Sequence, residues 1–281
     1  MKIAITCDSV VDLTEELKKK YDIKVVPLKI LLGDTEYTDG DIKNAELFEY
    51  VNKTGVLPKT SAVNEETFND FFSEILKEYD AIVHLDISSE MSATYNNAVA
   101  AAAKFGDKIE VIDSRSLSTG IALLAIYARK LTETESDIKV IAEKVKSRVN
   151  KVQASFVIER LDFLYKGGRC SSLQLLGANI LKLRPQIIVK DGKMGSYKKY
   201  RGTMASVVSR YCADTLNEFN HPDKSIIFIT YSSATPEMIK AAHEVIDGYG
   251  FENVYETVAG GTVSSHCGGN TLGILYINDA E

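Results

Sequence analysis

Along the first half of the chain, short apolar runs alternate with stretches in which apolar residues recur every three to four positions. The runs Ile3–Thr6, Ala81–Ile87 and Ile109–Asp113 predict buried strands, and Ile23–Leu32, apolar at alternate positions, predicts extended chain. A short helix is expected over Leu13–Lys20, after the turn-forming Asp8-Ser9. The clearest helix is Asn64–Lys77: Asn64 can cap it, acids fill its first turn, and Phe68, Phe71, Phe72, Ile75 and Leu76 form one stripe. Further helices are expected from about Ala93 to Lys104 and over Ser118–Lys130. A β-α-β-α order of this kind favours a parallel sheet wrapped by helices.

From about Lys151 the texture changes. Strand-like pieces crowd closer together: Ala154–Ile158, Ile187–Lys190, Lys193–Lys198, Ser225–Thr230, Asn253–Val258 and Leu272–Ile277. Helices are expected around Ser171–Lys182, Met204–Phe219 and Pro236–Tyr249. Asp191-Gly192 reads as the two-residue turn of a hairpin. The expectation is therefore an α/β protein of two domains. Residues 1–150 would hold a largely parallel sheet flanked by helices, and residues 151–281 a mixed or antiparallel sheet with helices.

Composition narrows the picture. A chain of 281 residues, 45% hydrophobic and 26% charged, is long enough for well-buried cores. Its formal charge of −6 comes without a basic run or aromatic-basic interleaving, so nucleic acid is not expected as a partner. The four cysteines, Cys7, Cys170, Cys212 and Cys267, are far apart with no C-x-x-C spacing, which points away from a disulfide framework and from a metal site. The apolar run Gly120–Ala128 is far short of the ~20 residues that span a bilayer. The first apolar run meets Asp8 before a secretory segment would be complete. The expected location is cytoplasmic, without stable membrane insertion, and the expected state a monomer.

Candidate chemistry is concentrated in a few places. Phe163-Leu-Tyr-Lys-Gly-Gly-Arg-Cys-Ser-Ser172 and Lys199-Tyr-Arg-Gly202 each set an arginine, Arg169 or Arg201, beside a glycine. A guanidinium next to backbone without a side chain suits docking of a phosphate or carboxylate. Hydroxyls cluster at Thr60-Ser61 and Ser92-Ala-Thr94, the latter beyond the carboxyl end of a predicted strand, where ligands of open α/β sheets collect. Ser92 and the Thr60-Ser61 pair could bind an anion or simply cap the helices that follow them. His266 lies in a run with five glycines between Gly260 and Gly273, read as a loop able to bring an imidazole and amides close to a ligand, or as a plain connector. His84, in an apolar strand, reads as a core histidine. The chain has no G-x-x-x-x-G-K-[ST], no G-x-G-x-x-G opening a helix, no G-x-S-x-G and no H-E-x-x-H, and no spacing singles out a hydrolytic triad.

In order and spacing these motifs resemble the DegV family of bacterial fatty-acid-binding proteins, which includes the FakB subunits of fatty acid kinase. The resemblance runs nearly end to end, through Cys7-Asp-Ser9, Pro58-Lys-Thr-Ser61, Ser88-Ser-Glu-Met-Ser-Ala-Thr-Tyr95, Val111-Ile-Asp-Ser114, Leu164-Tyr-Lys-Gly-Gly-Arg169, Arg184-Pro185, Asp191-Gly192, Arg201-Gly202 and His266. It implies two α/β domains with one fatty acid buried between them and no other cofactor. The carboxylate would be held by Thr60 and Ser92 with His266 nearby, and Ser61 and Thr94 as neighbours. Arg169 and Arg201 would serve a separate fatty acid kinase subunit or the phosphorylated head group. In such a system the kinase makes acyl phosphate from ATP, and an acyltransferase uses it for phospholipid synthesis. The chain departs from the family where His266 is followed by Cys-Gly-Gly rather than a Gly-Pro-Gly run, where Ala93 replaces a frequent glycine, and where Cys7 replaces a common threonine. The rival readings are a stand-alone lipid esterase or acyl-transfer enzyme using Ser92 and His266, and a lipid-sensing regulator.

Overall fold

A computed structural model describes residues 1–170 and 183–279; the helix expected over Ser171–Lys182 lies outside the described residues. The chain runs β1 (Ile3–Asp8), α1 (Glu15–Lys20), β2 (Ile23–Val26), β3 (Lys29–Leu32), β4 (Thr35–Thr38), α2 (Asn44–Thr54), β5 (Lys59–Ser61), α3 (Glu65–Ile75), β6 (Ala81–Asp86), α4 (Thr94–Ala102), β7 (Ile109–Asp113), α5 (Thr119–Leu131) and α6 (Ile138–Val149). It continues through β8 (Val152–Val157), α7 (Asp162–Gly167), β9 (Arg184–Lys190), β10 (Lys193–Tyr200), α8 (Met204–Glu218), β11 (Ile227–Tyr231), α9 (Pro236–Ile246), β12 (Val254–Val258), α10 (Gly261–Cys267) and β13 (Leu272–Ile277).

The first sheet has the order β2-β1-β6-β7 and is parallel throughout. Every residue of β1 and β6 is buried, as strands covered on both faces require. Its helices form for the expected reasons: the Asn64 side chain accepts the Thr67 N–H at 2.8 Å, and α3 turns Phe68 and Phe72 fully inward. These two rings stand edge-on to buried His84, each centroid 5.3 Å from the imidazole, whose nitrogens bond Thr6 Oγ1 and Asp86 Oδ1. His84 is thus a satisfied core residue.

The second sheet has the order β10-β9-β8-β13-β11-β12, antiparallel except for the β11–β12 pair. At its hairpin, Asp191 and Gly192 both take positive φ, 51° and 79°, the combination a two-residue type I′ turn needs. The two-domain α/β architecture is therefore as expected, with a mixed second sheet. The apolar core nevertheless runs without a break from β1 and β6 to Ala154, Phe156 and Leu275 of the second sheet. Helix α5 packs against strands of both sheets and is buried on nearly every side, which explains the apolar run Gly120–Ala128. No described helix is long and apolar enough to cross a membrane.

Two local expectations change. Ile23–Leu32 is not one extended segment: Pro27, lacking the N–H a ladder needs, ends β2, and β3 leaves to form a small β4-β3-β5 sheet with Thr60 and Ser61 on its edge. The glycine-rich run around His266 is not a loop, because Gly261–Cys267 is helical. Its glycines serve the ends instead. A side chain at Gly261 would lie 2.5 Å from Ile30, and Gly268, with φ of 75°, stops the helix against the Phe163 ring.

Candidate functional site

Four pieces of chain converge on a cavity of about 210 Å³ at the seam between the two sheets. The edge strand β5 contributes Thr60 and Ser61, the turn after β6 contributes Met91 and Ser92, α10 contributes His266 and Cys267, and the chain just beyond α7 contributes Arg169. These supply most of its polar groups, and Val10, Leu28, Leu117, Met194 and Val263 contribute apolar wall.

Thr60 Oγ1 lies 2.8 Å from His266 Nε2. Ser92 Oγ lies 2.8 Å from Thr94 Oγ1 and accepts the Thr94 N–H at 3.2 Å, so it caps the start of α4 while facing the cavity. His266 Nδ1 is buried and, among the described residues, has no hydrogen-bond partner; it faces Gly167. Burial, helped by the nearby Arg169 cation, pulls the His266 pKa down to about 4, so the imidazole is neutral near pH 7. Arg169 itself is exposed at the rim and donates to the Gly167 carbonyl at 2.7 Å.

Carboxylates brace this site from behind. Asp8 accepts the Val10 N–H at 2.8 Å and the Ile87 N–H at 2.7 Å, fixing two cavity residues from separate loops with one side chain. Burial raises its pKa well above the usual carboxylate range, with Asp86 adding to the effect. Asp12 accepts from Ser118 Oγ at 2.5 Å and from the Gly260 N–H at 2.7 Å, tying α5 to the entry of α10. Burial lifts Asp12 to about 8, against the pull of those two donors.

Of the residues singled out from sequence, Thr60, Ser61, Ser92, Arg169 and His266 all line this cavity. Thr94 is buried behind Ser92 rather than on the wall. Arg201 is exposed between β10 and α8, outside the lining, and its carbonyl accepts from Arg210. Met91, Met194, Val263 and Cys267 escaped sequence reasoning, since isolated apolar residues of a core and of a pocket wall look alike. The Ser92 hydroxyl bonds Thr94 and His266 bonds Thr60, so Ser92 and His266 are not hydrogen-bonded to each other. Among the described residues no group of three His, Cys, Asp or Glu side chains could hold a metal ion.

The family pattern described as "Uncharacterised protein, DegV family" matches residues 2–279. A DegV domain-containing protein of Caldanaerobacter subterraneus is 29% identical over 279 residues, 98% of each chain. A Thermotoga maritima protein named a fatty acid-binding protein is 32% identical over 213 residues, 74% of each. Among solved structures, a DegV family protein from Thermus thermophilus described for its fatty acid binding superposes with a TM-score of 0.89 at 26% identity, covering 99% of this chain and all of that one. A Thermotoga maritima structure, described as revealing a fatty acid binding function, gives 0.85 at 25% identity, with 99% of this chain and all of that one covered. Helix-capping serines and threonines are common in any α/β protein, but here they converge with one histidine on the apolar seam of a fold shared end to end with these proteins, and the chain belongs to the DegV family.

Proposed function

We propose that the protein binds a long-chain fatty acid with its carboxylate at the Thr60–His266 end of the cavity and its tail in the apolar seam. The observation that carries this is a hydroxyl–imidazole pair in the wall of a largely apolar cavity. The similar Thermus thermophilus and Thermotoga maritima proteins, described as fatty-acid-binding, support it. A sixteen-carbon tail has roughly fourteen methylenes at ~0.8 kcal/mol each, on the order of 11 kcal/mol before the costs of binding. A carboxylate leaving water needs donors in return. With the His266 proton on Nε2 and donated to Thr60, the Thr60 hydroxyl is free to donate to the ligand, as is that of Ser92. The head-group cavity, about 210 Å³, is smaller than the ~300–1,000 Å³ of drug-sized sites, so a long tail must continue beyond it.

The protein, in this proposal, presents the bound carboxylate to a separate ATP-dependent fatty acid kinase, and the acyl phosphate formed passes to phospholipid synthesis. Arg169, exposed on the cavity lining, would meet a dianionic head group, and Arg201 would act on the partner's side. Native mass spectrometry of protein purified from a bacterial host should show one co-purified fatty acid per chain, and Thr60→Val should lose most of it. Protein that stays ligand-free after incubation with palmitate and oleate would end this reading. With ATP and a fatty acid kinase subunit, Arg169→Ala should retain the lipid while acyl phosphate formation falls at least tenfold; equal turnover would remove the arginine from the scheme.

A further inference from the structure

Two more cavities extend the same seam, and their shared walls define a route. Beyond the head-group cavity lies an almost wholly apolar slot of about 30 Å³, and Leu117, Val263 and Cys267 border both. Beyond the slot lies a cavity of about 400 Å³, and Ala154 and Val189 border both of these.

That third space arises from the strand register. β8 and β9 pair only through Ser155↔Ile188, Phe156↔Ile187 and Val157↔Gln186. Past that point each strand keeps only its other neighbour. Ala154 pairs with Leu275 and Val152 with Ile277 of β13, while Val189 pairs with Met194 and Lys190 with Lys193 of β10. The second sheet is therefore split between Val152–Ala154 and Val189–Lys190, and both rims of the split line the 400 Å³ cavity. Its lining is more polar than that of the slot and includes Arg115, Lys151 and Lys190, and among the described residues the buried Ser116 Oγ has no hydrogen-bond partner.

We infer that the acyl tunnel is open at its far end. The tail passes under Leu117 and Val263, crosses between Ala154 and Val189, and emerges through the split in the sheet. Ala154 and Val189 then act as specificity-determining residues, since a small and a β-branched side chain stand where a length-limiting wall would be. The ligand class is fatty acids without a sharp upper length limit, their ends projecting into the 400 Å³ cavity. This inference rests on the proposed fatty acid binding, and the test separates the two.

Displacement of a fluorescent fatty acid by twelve-, sixteen-, twenty- and twenty-two-carbon acids gives a length profile. In the wild-type protein, affinity should stay within about threefold from sixteen to twenty-two carbons. Ala154→Phe should leave the twelve-carbon acid within about threefold and weaken the twenty-two-carbon acid at least tenfold. Val189→Phe closes the same gap from the opposite rim and serves if Ala154→Phe does not fold. A twenty-carbon acid with a terminal diazirine should label residues 151–154 or 188–192 of the wild-type protein. A steep loss of wild-type affinity beyond sixteen carbons, an unchanged profile in a folded variant, or labelling confined to Phe156 and Leu275 overturns the open tunnel and leaves fatty acid binding intact. No binding by the wild type at any length removes both.

Discussion

His266 shows how much of the site depends on contacts with groups that have no chemistry of their own. A side chain on Gly167 would put its Cβ 2.6 Å from His266 Nδ1, so the imidazole holds its place against Thr60 because position 167 is glycine. Gly167→Ala should push the ring away and lower fatty acid affinity about tenfold, ~1.4 kcal/mol; unchanged titration curves would show that the ring has room to yield. The same histidine gives the fold a pH signature. Its pKa falls from 6.5 unfolded to about 4 folded, so between those values the unfolded chain binds the extra proton. This contribution to stability is full above pH 6.5 and is lost as pH falls through about 4, on the order of 3 kcal/mol. Urea unfolding at stepped pH should show that slope in the wild type and lose it in His266→Gln. Asp12, raised to about 8, has the opposite sign: its contribution is full below about pH 3.8 and fades as pH rises through 8. Asp12→Asn should therefore remove a fall in stability between about pH 4 and pH 8, and an unaltered slope across that window would place the proton elsewhere.

At the scale of elements, the sequence was most legible where one local signal decides the outcome. Asn64 and the phenylalanine stripe define α3, and Asp191-Gly192 defines the β9–β10 turn. It was least legible where a long-range contact decides. The glycines near His266 read as a loop because their individual reasons, Ile30 against Gly261 and Phe163 against Gly268, lie in distant parts of the chain. Thr60, Ser92 and His266 were each visible as candidates, yet only the packing of the β5 edge, the turn before α4 and α10 makes them neighbours. Arg201 carried the same glycine-adjacent signature as Arg169 and stands outside the cavity, so that motif does not by itself specify a position. The hairpin illustrates a contact that can be tested. Ser88 Oγ donates to the Gly192 carbonyl at 2.7 Å and Arg115 donates to that of Asp191, pinning the tip to the first sheet's loops. A Cβ at Gly192 would lie 2.7 Å from Ser88 Oγ at a φ of 79°. Gly192→Ala should cost about 1–3 kcal/mol in chemical denaturation; a loss below ~0.5 kcal/mol would mean the tip is not held.

Over the whole molecule, the site and the stability share one body of apolar contacts. The core cluster crosses from the first sheet into the second, α5 touches both, and the proposed acyl route runs along the seam where they meet. A tail lodged there adds contacts to both sides at once, so ligand and fold must be thermodynamically linked. A ligand that binds only the folded chain at a hundred times its Kd adds about 2.7 kcal/mol. For a chain of this size that corresponds to a rise in melting temperature of roughly 5 °C. Calorimetry with and without palmitate should therefore show a single transition moving upward as a unit. Two transitions, of which only one responds to the lipid, would mean that the sheets unfold independently and that the ligand rests on one of them rather than between them.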